Sequence, residues 1–293
     1  MEKKHAGPLY GLSVALLWGF SFLSIKVSVA EVPPMTMAAA RFIVACAVLP
    51  LLARLVKDDM RIALRDVPML VLSGLLGVTL YFYFENNGVA LLSASEASLI
   101  IGTIPVVTMI AERIFIGTRL GARAYVGAFL SFAGVALIVA RSGSSESSSL
   151  GYLYMVGAAL VWVAYTFSTR GVSARYGRIS VTFWQCLFGL LGCLPLALLE
   201  RRAWRVPSTT VVLNILYLGL FCSAAGYWLY ISAMDHLGVG RASVFINLIP
   251  VVAVVGGFLI LGDRLGSLQI VGGAVAVAGV YLATIPGRPQ AQE

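Results

Sequence analysis

Residues 97–121, ASLIIGTIPVVTMIAERIFIGTRLG, return as residues 242–266, ASVFINLIPVVAVVGGFLILGDRLG. At a constant offset of 145, Ala97, Ser98, Ile101, Ile104, Pro105, Val106 and Val107 meet Ala242, Ser243, Ile246, Ile249, Pro250, Val251 and Val252. Further on, Gly117, Arg119, Leu120, Gly121, Gly127 and Gly134 meet Gly262, Arg264, Leu265, Gly266, Gly272 and Gly279. Apolar residues agree easily by chance, but Pro, Gly and Arg recurring in one register do not. The chain is a duplication, so its fold is one unit built twice.

The solvent for that unit follows from composition. Hydrophobic residues make up 59% of the chain, charged residues 12%, and mean hydropathy is +0.92. A water-soluble domain carries about a quarter charged residues and could not hide so much apolar surface. The medium is lipid, and the class is all-α integral membrane. A spanning helix needs about 20 apolar residues. Ten such runs can be drawn, at 8–29, 34–55, 67–89, 95–116, 122–140, 151–172, 179–199, 210–232, 241–261 and 267–285. The Ser-rich stretch Ser142–Ser149 falls where the two copies join. The expected organisation is a first five-helix repeat at 1–141, a connecting loop at 142–150 and a second five-helix repeat at 151–293.

The first run follows Lys3 and Lys4 and ends near Ser28-Val29-Ala30, as a cleavable signal would. Lys26 interrupts it, however, and Gly7, Trp18, Ser24 and Lys26 are echoed by Gly151, Trp162, Ser168 and Arg170 at an offset of 144. A discarded segment has no reason to be duplicated, so retention is expected.

With the N-terminus inside, 14 of the 21 Lys and Arg residues fall on the cytoplasmic side and five opposite, leaving Lys26 and Arg41 within spans. This obeys the positive-inside rule, with Arg201–Arg205 as an exception. Both termini are expected in the cytoplasm of a cell whose inner (plasma) membrane holds a multi-pass protein. The net charge of +8 reports loop orientation, and nucleic acid is not an expected partner. Homologous spans five crossings apart run in opposite directions. The two halves are therefore inverted repeats, the symmetry that suits alternating access around a central cavity.

Other functions find little support. Cys46, Cys186, Cys193 and Cys222 lie in apolar runs without metal-ligand spacing, so no metal or cofactor is expected. His5 and His236 fall outside the spans, and no Gly-x-Ser-x-Gly motif is present, which argues against a membrane-embedded enzyme. A scaffold or receptor would need long soluble loops or a ligand domain.

The chain resembles the drug/metabolite transporter superfamily in its ten-helix EamA-type form. The features that carry the likeness are Trp18-Gly19, Pro34 followed by Arg41-Phe42, and Ala90, Leu91, Ala94 and Ala97. Pro105 with Ile116-Gly117-x-Arg119-Leu120, and Pro250 with Leu261-Gly262-Asp263-Arg264-Leu265, complete the set. It departs at Thr118, which stands where Asp263 supplies an acid in the second half; Glu112 lies six residues earlier. The resemblance implies a secondary transporter exporting small metabolites, with amino acids a common substrate class. It also implies a cavity built by the first four helices of each half, with the fifth and tenth as a peripheral brace. A broad multidrug extruder is the alternative.

Polar residues within spans face a cavity or a partner. Trp18 with Ser21, and Trp162 with Tyr165, sit near mid-span on symmetric helices and are expected to wall one cavity. Tyr81 and Glu85 share a face of the third span, and Tyr227 and Tyr230 lie on the eighth; inverted symmetry would make them aromatic gates at opposite mouths. Gln185 and Asn247 either bind substrate or join helices. Arg41 either pairs with Glu85 as an outer latch, with Lys26–Glu96 a second such pair, or holds a substrate carboxylate. If protons drive transport, Glu85 is the best-placed carboxylate. Pro105 and Pro250 interrupt their helices and are candidate hinges. Gly127-x-x-x-Ser131 with Gly134, and Gly272-x-x-x-Ala276 with Gly279, permit close packing, expected within a monomer.

Overall fold

The computed structural model describes residues 3–92, 94–118, 120–139, 148–256 and 266–285. Among these, ten membrane segments follow in order: α1 (Ala6–Val29), α2 (Pro34–Val56), α3 (Leu64–Leu91), α4 (Ala94–Ile101 and Ile104–Phe115) and α5 (Ala122–Val139). The second set is α6 (Ser149–Ser173), α7 (Arg178–Leu199), α8 (Thr209–Leu237), α9 (Val239–Ser243, a tight 3₁₀ stretch Val244–Leu248, then Ile249–Gly256) and α10 (Ser267–Thr284). The turn around Asp263, Arg119 and most of the Ser-rich connector lie outside the described residues. We call the membrane face at the start of α1 proximal and the other distal.

The helices sort their side chains as lipid requires. On α1, Leu9, Leu12, Leu16 and Leu23 form one exposed stripe, while Val14, Ala15, Ser21 and Ile25 are buried against other helices. The 3.6-residue period thus separates a lipid face from a protein face, as it separates water from core in soluble proteins.

Helix ends that meet water are capped across the symmetry. The Glu200 carboxylate, just after α7, accepts from Met35 N at 3.1 Å, Thr36 N at 2.7 Å and Thr36 Oγ1 at 2.8 Å, holding the start of α2. Reciprocally, Asp58, just after α2, accepts from Ile179 N at 3.1 Å at the start of α7. An added Cβ at Gly177 would lie 1.7 Å from Asp58 Oδ1, so this cap requires glycine there. The same exchange joins α1 to α8 and α6 to α3. Glu31 accepts from Ser208 N and Oγ, both at 2.8 Å, while Arg175 pairs with Asp66 at 2.7 Å. Glu200, Asp58 and Glu31 satisfy backbone donors that a helix start leaves over, whereas Arg175–Asp66 is an ion pair between side chains.

The eighth span runs five residues past its expected end, to Leu237. Asp235 and His236 remain helical because Asp235 pairs with Arg178 at 2.7 Å and the His236 ring contacts Ser232 O at 2.8 Å. The helix stops at Gly238, whose φ of +80° disfavours any side chain.

The brace takes the form the small-residue spacing predicts. An added Cβ at Gly127 would meet Ala283 N at 2.4 Å, and one at Gly279 would meet Ser131 N at 2.3 Å. Backbones of α5 and α10 therefore touch, within the chain, away from the cavity. Gly279→Leu is expected to wedge them apart and lower stability by ~1–3 kcal/mol, the usual cost of overpacking; the thermal melting temperature of the purified protein checks it.

Candidate functional site

A narrow pocket runs from mid-depth toward the distal face, between the two halves, with about 40 Å³ in which the centre of a water-sized sphere can move. Its wall repeats the duplication. Ile101 and Ile104 from α4 face the same space as their offset-145 partners Ile246 and Ile249 from α9. Phe82 on α3 and Tyr227 on α8 are another such pair, and Trp18 and Trp162 a fourth at offset 144. Both indoles line the pocket with ring centroids 5.4 Å apart, edge to face. They share one space, as expected, and the Trp18 Nε1 also donates to Cys222 O at 3.0 Å.

That carbonyl lies where α8 widens to i→i+5 bonding over Leu218–Ala225, as α3 does over Leu75–Leu80. Cys222 and Gly77 correspond at offset 145, and Gly77 O accepts from Tyr227 Oη at 2.5 Å. Two symmetric wide turns thus each hand a backbone acceptor to an aromatic side chain at the pocket. These turns had no sequence signal beyond the Gly74/Gly219 repeat near their starts.

The aromatic residues do not divide into gates at opposite mouths. Trp162 contacts Tyr81 (4.7 Å between centroids), Tyr165 (5.0 Å), Tyr230 (5.4 Å) and Tyr227 (5.9 Å), forming one cluster with Trp18. The correction has a simple cause: Tyr81 and Tyr227 lie close enough to mid-span for both to reach the shared centre. Trp228, by contrast, packs on Tyr10, and Tyr83 on Phe84 and Tyr154.

Arg41 and Glu85 both line the pocket, buried to 2% and 4% exposure. The expected Arg41–Glu85 ion pair is absent: among the described residues the pairs are Arg65–Asp66, Arg175–Asp66 and Arg178–Asp235. Arg41 instead donates Nε to Ser223 Oγ at 2.9 Å, and its guanidinium carbon sits 4.5 Å from the Phe82 ring centre. Glu85 Oε1 accepts from Tyr81 Oη at 2.8 Å. Arg41 Nη1 and Glu85 Oε2 have no hydrogen-bond partner. The Lys26–Glu96 pair lies outside the described side chains.

On the proximal side of the pocket, buried polar side chains join helices. Gln185 donates to Ser73 Oγ at 2.9 Å and Thr169 Oγ1 at 2.8 Å, and accepts from Tyr165 Oη at 3.3 Å. Asn247 donates to Ser131 Oγ at 2.7 Å, tying α9 to the brace. Of the candidate binding residues, Gln185, Tyr165 and Asn247 thus join helices and do not line the pocket, whereas Trp18, Ser21, Tyr81, Glu85, Trp162 and Tyr227 do. Gln185→Leu, close in volume, is expected to lower stability by ~1–3 kcal/mol because Tyr165, Ser73 and Thr169 lose a partner. Denaturant titration in detergent would read it.

Nearer the proximal face, Glu112 on α4 accepts from Gly240 N on α9 at 2.9 Å. The α4 helix breaks at Gly102–Thr103, just before Pro105, and α9 tightens just before Pro250. Both segments thus change pitch where proline removes a backbone donor.

Two halves of one ancestry meeting at a pocket in the membrane have a known counterpart. The family model for "EamA-like transporter family" matches residues 5–140 and again residues 149–285. The chain belongs to the EamA-like transporter family. Relatives within reach include a probable terminal-alkyne amino-acid exporter of Streptantibioticus cattleyicolor, 30% identical over 74% of this chain and 73% of its own. A probable amino-acid metabolite efflux pump of Escherichia coli is 26% identical, with 92% of each chain aligned. An uncharacterized transporter of Archaeoglobus fulgidus is 29% identical over 90% of this chain and 94% of its own. A solved crystal structure superposes with a TM-score of 0.79 over 95% of this chain and 96% of its own at 22% identity, and so shares this fold. This EamA protein is therefore a multi-pass membrane transporter of small molecules.

Proposed function

We propose that this EamA protein is a secondary amino-acid exporter of the inner membrane, working by alternating access, with its proximal face and both termini in the cytoplasm. The observation that carries the reading is the pairing of repeat-related residues across one pocket: Trp18 with Trp162, Ile101 with Ile246, Ile104 with Ile249. A wall drawn equally from inverted halves can be opened to either side by exchanging their conformations. Pro105 and Pro250 are the hinges of that exchange, and Arg41 is a pocket residue that moves with it. Relatives named as amino-acid exporters support the substrate class. The protein works as a monomer, since one chain supplies both halves of the path.

The test is flux of a radiolabelled amino-acid mixture from proteoliposomes, with and without a proton gradient. Saturable amino-acid efflux and exchange is the expected result. Cationic dyes moving while no amino acid does would favour the multidrug alternative and remove the proposal.

A further inference from the structure

Most polar atoms lining the pocket are already committed. Trp18 Nε1 donates to Cys222 O, Ser21 Oγ to Trp18 O at 2.8 Å, Tyr227 Oη to Gly77 O, Tyr81 Oη to Glu85, and Trp162 Nε1 to Tyr230 Oη at 3.4 Å. Two atoms of lining residues are not: Arg41 Nη1, a cationic donor, and Glu85 Oε2, a carboxylate acceptor, both buried and without a hydrogen-bond partner. The two side chains do not pair with each other. The rest of the wall is apolar, chiefly Phe22, Ile25, Ile101, Ile104, Ile246 and Ile249.

Buried charges without full partners are costly, and a ligand that completes them recovers that cost. The ligand must offer an anion to Arg41 and a cation to Glu85 at once. A cation alone leaves the guanidinium unmatched, and an anion alone leaves the carboxylate unmatched. The remaining wall offers a charged tail no further charge to meet, so the tail must be apolar.

Resting on the amino-acid reading above, we propose that the pocket selects zwitterionic α-amino acids with apolar side chains. Arg41 takes the substrate carboxylate, Glu85 takes the ammonium, and the isoleucine wall takes the side chain. Arg41 and Glu85 are thereby the specificity-determining pair, one for each end of the zwitterion. The pair is neutral in sum, as the substrate is, so loading adds no net charge to the membrane interior.

The probes are L-leucine, 4-methylpentanoate (leucine without its ammonium), 3-methylbutylamine (leucine without its carboxylate), L-lysine and L-glutamate. Each competes against uptake of radiolabelled leucine by proteoliposomes holding the unaltered protein. Leucine is expected to compete best, with each of the other four at least about tenfold weaker, because each leaves a buried charge unmatched. In Arg41→Gln the preference for leucine over 3-methylbutylamine should collapse while that over 4-methylpentanoate persists; Glu85→Gln should show the reverse. The analogue series needs no variant, so a misfolded substitution does not remove the test. Either one-charge analogue competing as well as leucine would overturn the proposal while leaving amino-acid transport standing, as would preferential uptake of labelled lysine or glutamate. Movement of organic cations with no amino acid moved would overturn both.

Discussion

Oxidising a Met109→Cys, Gly240→Cys double variant should stop transport, and reducing it should restore transport. An ideal Cβ at Gly240 lies 3.0 Å from Met109 Cγ, one bond from the Met109 Cβ, so the two new Cβ atoms fall near the reach of a disulfide. Both positions are at the proximal mouth, beside the Glu112–Gly240 hydrogen bond. If α4 and α9 must part there to open the pocket to the proximal face, a covalent tie holds the carrier in one state. The variant is made on a background in which the four free cysteines, three of them buried, are replaced by alanine. Flux in both directions is measured before oxidation, after it and after dithiothreitol. Undiminished flux through a fully cross-linked sample would show that the proximal mouth opens elsewhere.

Trp162→Ala should be the most damaging single substitution. Trp162 is 3% exposed and touches five other aromatic rings, so removing it opens a cavity at the centre of the molecule. Loss of ~3–5 kcal/mol of stability is the usual cost of emptying a buried aromatic site. The substitution also removes the wall that Trp18 and Tyr81 lean on, so the remaining folded protein should transport at least about 100-fold more slowly, some ~2.7 kcal/mol in barrier. Trp162→Phe keeps a ring and gives up the 3.4 Å contact to Tyr230 and part of the packing, so it should retain more stability and flux than Trp162→Ala. Stability is read by thermal melting and transport by leucine exchange at equal protein density. Equal flux from Trp162→Ala and the parent protein would remove Trp162 from the pathway.

The sequence made the architecture legible because lipid imposes a simple rule. Every span was visible as an apolar run, and the Pro105/Pro250 and Gly127/Gly272 registers were visible because neither proline nor glycine is freely exchanged at such positions. Trp18 and Trp162 could be placed on the cavity from depth and symmetry alone. What could not be read was how polar side chains choose partners in three dimensions. Gln185 has the same composition whether it binds substrate or joins helices; only the positions of Ser73, Thr169 and Tyr165 decide it. Arg41 and Glu85 looked like a natural pair, yet Ser223 and Tyr81 reach them first. The isoleucines of the wall stand at repeat-related positions, but an isoleucine facing lipid and one facing a pocket look alike in sequence.

The hydrogen bond between Glu112 and Gly240 has no mirror image. At the repeat offset the corresponding residues are Gly257 and Ser95, and a glycine has no carboxylate to offer. On the alternating-access reading proposed above, the proximal end carries a tie that the residues at the repeat offset cannot make. Detailed balance forbids that inequality from driving net flow by itself. It shows up as different half-saturation concentrations measured from the two sides of the same membrane, even for a passive carrier.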